Sequence, residues 1–325
     1  MKATILLLYS LLATCFCSTF AAHARKRPTV VVPQRSNPYD KQITTFDPQG
    51  QLLQLQYAQE AANKGSSAIF INFGDVIIAV LQNDLHSFYN QKTKMRNKSL
   101  YRIHDGMFAK MTGLQGDSRL LFQYLLQNSL QLSWSEGQAF ESDEQGLIRQ
   151  VPTLRVEQLA NVCADVQHSL TTRPGARALA VDAVLFGIDG VRKGKDGQIC
   201  NQLGLYKCHL SGVVDECNFC LVGSIMKDKA LSQSCLEELD TIYKEKKYSL
   251  SDSMKRMASF IYKHQMNSVT SHGGDTTNET RARTGVDIYC LKVNPMCRGG
   301  IEIKSATCVS RDNIDEVVQL FEDSQ

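Results

Sequence analysis

Cys217 and Cys220 form a lone CxxC, a spacing that can hold half of a zinc site or a dithiol redox pair. A complete zinc site would need a second CxxC or a paired histidine. None stands at ligand spacing, because His86, His104, His168, His209, His264 and His272 are scattered along the chain. Residues 216–222 read as a strand, in which positions three apart point to opposite faces, so the two cysteines are expected to pack in the core rather than share a ligand. The chain has 11 cysteines, of which Cys15 and Cys17 fall in an apolar N-terminal run. The rest have no regular spacing, and no disulfide framework follows from them. There is no phosphate loop and no GxGxxG, so neither a metal nor a cofactor is expected. Asn97-Lys98-Ser99 and Asn278-Glu279-Thr280 fit the glycosylation pattern, which matters if the chain enters the secretory pathway. Asn278, in a polar tract, is the better acceptor of the two.

The elements that must position any site come from a chain of 325 residues with 43% hydrophobic content, enough for one large core. The net charge of +3 is misleading. Lys2, Arg25, Lys26, Arg27 and Arg35 precede the first acid, Asp40, and removing those five charges leaves −2 for the rest. No basic stripe interleaved with aromatics appears, which argues against a nucleic-acid partner. Residues 1–24 have the form of a secretory signal peptide: Lys2, an apolar run over 5–17, then Ala22-His23-Ala24 at the cleavage positions. That run is too short for a transmembrane helix, so no stable membrane insertion is expected. Residues 25–38 form a basic linker or a transit-like segment, and residues 39–325 read as one domain.

Apolar periodicity predicts helices over 51–62, from Asp117 onward with a stripe of Leu120, Leu121, Tyr124, Leu125 and Leu132, along Val156 to Leu170, and over 230–244 and 250–264. Ser249 and Ser251 are start signals for the last of these. Strands are expected at 67–73 and 76–80, joined by Gly74-Asp75 as a tight hairpin, and at 178–188, 203–208, 213–222, 286–293 and 300–306. Two insertions, 190–204 and 268–285, are rich in Gly and polar residues and are expected to be exposed, mobile and outside the core. The order of strands and helix pairs calls for two packed sheets covered by helices.

The run Tyr39-Asp40-Lys41-Gln42-Ile43-Thr44-Thr45-Phe46-Asp47-Pro48-Gln49-Gly50-Gln51-Leu52-Leu53-Gln54-Leu55-Gln56-Tyr57-Ala58, continuing to Ala68, resembles the N-terminal signature of α-type subunits of the 20S proteasome. Met111-Thr112-Gly113-Leu114 with Asp117 and Arg119, then Arg173-Pro174, Gly187-Ile188-Asp189, Leu210-Ser211-Gly212 and Val222-Gly223-Ser224 follow in that family's order. The resemblance implies an α+β, four-layer αββα sandwich of two antiparallel sheets, the N-terminal nucleophile hydrolase fold. It also implies an outer-ring subunit whose N-terminal segment helps gate the pore in intracellular protein degradation, in the cytoplasm and nucleus. The partners it implies are other α subunits, β subunits and regulatory activators. Tyr39, Asp40, Pro48 and Tyr57 match the cluster that, by this resemblance, holds the gate open. Pro48 with Gly50 favours a turn, and the phenols and carboxylate can hydrogen bond across neighbouring chains.

In the catalytic β subunits of the same family, a Thr released by cleavage after Gly is the nucleophile, served by an Asp and a Lys. Gly65-Ser66 stands at the comparable place, so Ser66 is a vestigial nucleophile position. The Asp position falls on Leu81 and the Lys position on Ser99, which argues against peptidase activity. Ser99 also stands where a lysine would receive an activator's C-terminal carboxylate, so direct activator capture is in doubt. Other departures are Gln56, where the family has Glu, and Gly175, where an aromatic follows Arg-Pro. Two competing readings stay open: a secreted or organelle-lumen homologue acting as a binding protein outside the particle, in the secretory pathway or a plastid-related compartment, and a self-processing hydrolase with Ser66 as nucleophile.

Overall fold

The computed structural model describes residues 39, 42–84, 100–136, 139–142, 148–151, 154–193, 199–245, 249–271, 284–294, 301–308 and 314–322. They belong to one compact unit, Tyr39–Gln325. Its helices are α1 (Leu53–Ala62), α2 (Gln115–Glu136), α3 (Val156–Thr172), α4 (Lys229–Glu245), α5 (Leu250–Ser271) and α6 (Ile314–Glu322). The strands are β1 (Ala68–Asn72), β2 (Val76–Asp84), β3 (Tyr101–His104), β4 (Met107–Gly113), β5 (Ala139–Ser142), β6 (Ile148–Val151), β7 (Val181–Lys193), β8 (Ile199–Cys208), β9 (Val214–Glu216), β10 (Phe219–Val222), β11 (Thr284–Val293) and β12 (Ile301–Cys308). One sheet runs β10-β1-β2-β11-β12, a second β3-β4-β7-β8-β9, and β5-β6 pair as a separate hairpin. The strand pairs of both large sheets are antiparallel.

Side-chain alternation along each strand builds the layers. Ala68 and Phe70 of β1 face the second sheet, where Phe70 and Phe186 sit with ring centroids 5.3 Å apart and Phe108 lies 6.0 Å from Phe186. Ile69 and Ile71, one residue on, face the other way into the core shared with α4, α5 and α6. On the far side, Ala109, Met111, Val181 and Ala183 pack under α2 and α3. The result is the αββα sandwich, and β1 is apolar throughout its buried run because both of its faces are covered.

Gly74-Asp75 forms the expected hairpin, with Phe73 N–H donating to the Val76 carbonyl at 2.9 Å and Gly74 at φ 93°. The Ser249 hydroxyl caps α5 by accepting from the Asp252 N–H at 3.1 Å.

Four expectations are corrected. Residues 190–204 are largely strand: Gly190 to Lys193 pair with Gln202 to Ile199, and Leu203 is buried between the sheets. The polar composition there belongs to a two-stranded extension rather than a loop, and 194–198 lie outside the described residues. In the second predicted insertion, Ser268 to Ser271 finish α5 and Thr284 and Gly285 open β11, with 272–283 outside the described residues. The single strand expected over 213–222 is two, β9 in one sheet and β10 in the other. The crossing is fixed by Cys217 N–H to Leu205 O (2.9 Å) and Asn72 N–H to Asn218 O (2.7 Å). The stripe of α2 is narrower than expected, because Leu121 and Leu125 are buried while Leu120 and Tyr124 are exposed.

Candidate functional site

The segment ahead of the sandwich is built by a turn and a short helix. Asp47-Pro48-Gln49-Gly50 closes with Gly50 N–H donating to the Asp47 carbonyl at 2.9 Å. The Asp47 carboxylate also accepts the N–H groups of Gln49 (3.0 Å) and Gln51 (2.7 Å). Asp at the first position, Pro at the second and Gly at the fourth suit this turn, since Pro presets φ and Asp satisfies the freed amides. Gly50 holds φ 78°, which a side chain would disfavour. The chain then enters α1, whose Leu55 and Ala58 pack with Ile43, Ala62, Ala178 and Leu210. The Gln59 side-chain amide donates to the buried Asp182 carboxylate at 2.8 Å, and the other Asp182 oxygen accepts from Leu210 N–H at 3.3 Å. With that face seated, Tyr57 projects outward and is 46% exposed. Pro48 and Gly50 therefore share a turn, Tyr57 stands on the outer side of α1 and Tyr39 is half-buried. Asp40 lies outside the described residues.

A second polar group gathers where α1 hands over to β1. Ser66 is half-buried and precedes β1, which begins at Ala68. The Lys110 ammonium, on β4 and only 4% exposed, donates to the Ser66 hydroxyl at 2.9 Å. Lys110 thus crosses from one sheet to the other. Nothing in the local sequence points to it, because the resemblance puts the lysine position at Ser99, which with Asn97 and Asn278 lies outside the described residues. Leu81 is fully buried between the sheets, opposite Ala68, so an apolar side chain occupies the place the resemblance gives to a carboxylate. The corner is tight: a Cβ on Gly65 would come 2.4 Å from the Gly113 nitrogen, and one on Gly223, at φ 90°, would come 2.3 Å from the Ser66 carbonyl.

Ser67, the next residue, has its hydroxyl 3.0 Å from that of Ser224 and accepts the Ile225 N–H at 3.0 Å. Ser224 is in turn 2.9 Å from Nε2 of His264 on α5. Burial holds the imidazole below the usual histidine range, with the Asp228 carboxylate pulling the other way. Gly223-Ser224 is legible as a motif, whereas the contact with His264, 40 residues on, is not.

The cysteine pair faces a single core. Cys220 lies in the core between the sheets and Cys217 packs against that same core, not on an opposite face, because the strand breaks between them. Burial raises both thiols, keeping them protonated. Among the described residues there is no cluster of metal-ligating side chains, and no helix is long and apolar enough to cross a membrane.

Two facing antiparallel sheets with helices on both outer surfaces, entered through a turn and a short helix, make the α+β sandwich of proteasome α subunits. Residues 39–61 match the N-terminal signature of the A-type proteasome subunits. The chain is similar to the proteasome alpha subunit of Picrophilus torridus, with 28% identity over 186 residues, 57% of this chain and 68% of that protein. The proteasome alpha subunit of Methanocaldococcus jannaschii is 26% identical over 189 residues, 57% of this chain and 61% of that one. The proteasome alpha type-7 subunit of Caenorhabditis elegans is 27% identical over 154 residues, 47% of this chain and 54% of that one. The chain spans about half to two thirds of the length of these curated relatives, and it is a divergent relative of proteasome α subunits.

Proposed function

We propose that this chain is a non-catalytic α-type subunit of a 20S proteasome core, placed in the outer ring and contributing its N-terminal segment to the substrate gate. The observation that carries the reading is the signature segment itself. Its turn and α1 are fixed to the sandwich by Gln59 and Asp182, which turns Tyr57 outward, where a neighbouring chain would sit. The non-catalytic part is supported by Leu81, since a hydroxyl nucleophile at Ser66 would need a carboxylate to organise its lysine. Lys110 does supply an ammonium to the Ser66 hydroxyl, but from β4 and not from the position the resemblance gives to the lysine.

The outer face of α2 supports an assembled life. Leu120, Tyr124, Leu126, Leu130 and Trp134 are exposed there among Gln123, Gln127 and Gln131, and Trp134 is 84% exposed. A helix apolar on both sides is expected to be covered on both. The partners of this reading are other α subunits and β subunits, in cytoplasm and nucleus.

The test is co-expression with the α and β subunits of the same organism, followed by intact-mass measurement of the chain in any particle formed. Co-assembly with Ser66 still internal, and slower peptide entry in a Tyr57→Ala particle, whose open gate has lost one of its holding contacts, are the expected results. An N-terminus at Ser66 would overturn the non-catalytic assignment, and failure to co-assemble would favour a binding protein outside the particle.

A further inference from the structure

The corner at residues 65–68 is held from two sides. Lys110 ties Ser66 to β4. On the other side, Ser224 N–H donates to the Gly65 carbonyl at 3.0 Å, Ile225 N–H to the Ser67 hydroxyl, and the Ser67–Ser224 hydroxyl pair ends on His264 Nε2. His264 is 8% exposed and its Nδ1 has no hydrogen-bond partner. We propose that His264 is a proton-operated latch on this corner: the neutral imidazole completes the hydroxyl chain, and the imidazolium releases it and loosens the C-terminal end of α1.

A neutral imidazole has one N–H and one lone pair. With the lone pair on Nε2, Ser67 donates to Ser224 and Ser224 donates to His264, and the Nδ1–H is left as a neutral donor with no acceptor. With the hydrogen on Nε2, His264 donates to Ser224 and Ser224 to Ser67, which leaves a bare lone pair at Nδ1. Both neutral forms keep the chain closed. The charged ring still donates from Nε2 to Ser224, but it adds a positive charge to a buried ring whose Nδ1–H has no acceptor, and the cheapest relief is to move the ring toward water, which breaks the bond to Ser224.

The surroundings do not offset that charge fully. From the turn before α4, Asp228 faces His264, but its carboxylate already accepts from Leu231 N–H at 3.1 Å and lies 3.4 Å from the Asn267 amide. Glu238 of α4 is paired with Arg256 (2.7 Å), and Asp315 of α6 with Lys255 (2.9 Å). Lys263, next along α5, sits over the Phe260 ring. The strands under α5 present Ile69, Ile71, Ile78, Val80, Val286 and Ile288, with the thiols Cys290 and Cys308 as their titratable groups in that core. On the far side of the corner stands Lys110. The balance favours the neutral ring.

The experiment uses the full chain and its His264→Gln variant, which keeps a hydrogen-bonding group near the Nε2 position but cannot take up the proton. Amide exchange is followed at Ser67, Ser224 and Ile225 at about pH 7.5 and about pH 5.5, with the β2–β11 ladder as internal control, and the His264 ring is titrated by NMR. The latch gives a His264 midpoint below the ordinary value of about 6.5, and a loss of protection at those three amides on acidification that His264→Gln does not show. A midpoint at or above that value, or the same loss in both proteins, overturns it. Should His264→Gln not fold, Ser224→Ala serves: with the bridge removed, acidification should cause no further loss at Ser67, and a loss equal to that of the parent protein overturns the latch.

Discussion

Lys110 and Ser66 tie the two sheets together at the start of β1. An ammonium that is 4% exposed is held by a hydroxyl from the opposite sheet, and a leucine stands where the resemblance puts a carboxylate. Ser66→Ala removes that acceptor and should cost about 1–3 kcal/mol in urea denaturation. In a Lys110→Met background the same Ser66→Ala change should cost less, because the bond between the two is already gone. Asp117 makes a second testable pair. Its carboxylate takes both nitrogens of Arg177 at 2.6 Å and the Ala180 N–H at 3.0 Å, and the Arg177 bonds are the main cause holding its pKa below the usual value. A carboxyl lowered in the folded state stabilises above its unfolded pKa of about 3.9, and that contribution is lost as pH falls through the folded value. Asp117→Asn should therefore cost about 1 kcal/mol near neutrality, kept modest because Arg177 is 61% exposed, and the difference should shrink in strong acid. Paired denaturation curves at the two pH values check it.

At the scale of elements, α1 depends on a few anchors. Gln59→Ala should cost about 1–2 kcal/mol of global stability and raise amide exchange locally along α1, since it removes side-chain bonds to both Asp182 and Asn63. Gly65→Ala should do more damage than its size suggests. Its methyl would sit 2.4 Å from the Gly113 nitrogen, a backbone atom that cannot swing away, and a loss of about 2 kcal/mol or more is expected in the same assay. The helices α1, α3, α4 and α5 and the central strands β1, β2, β7, β8 and β11 are legible in the sequence because their apolar spacing is set by the layers they bury. Strand β4 is not, since Lys110 and Thr112 interrupt the apolar pattern at the positions that turn toward Ser66, and β3 is not, since its four residues include Arg102 and His104. The break between β9 and β10 is hidden because no Gly or Pro marks it and the change of sheet is made by backbone bonds at Cys217 and Asn218. Of the site, the turn at Asp47 to Gly50 is readable as local chemistry. The Lys110–Ser66 and Ser67–Ser224–His264 contacts are not, because they join strands and helices far apart in sequence.

For the whole molecule, the sandwich leaves two surfaces that a free monomer has little use for: the seated α1 with Tyr57 outward, and the apolar outer row of α2. Trp134→Ala combined with Leu130→Ala should leave the stability of the isolated chain nearly unchanged, as both side chains are exposed, while reducing its entry into larger particles. Size-exclusion of the co-expressed complex reads this directly. The most direct measurement is the native mass and composition of the tagged protein purified from its own cells without dissociation. A particle of several hundred kilodaltons containing proteasome α and β subunits is the expected result, and a lone chain at or below 36.3 kDa would contradict the ring assignment.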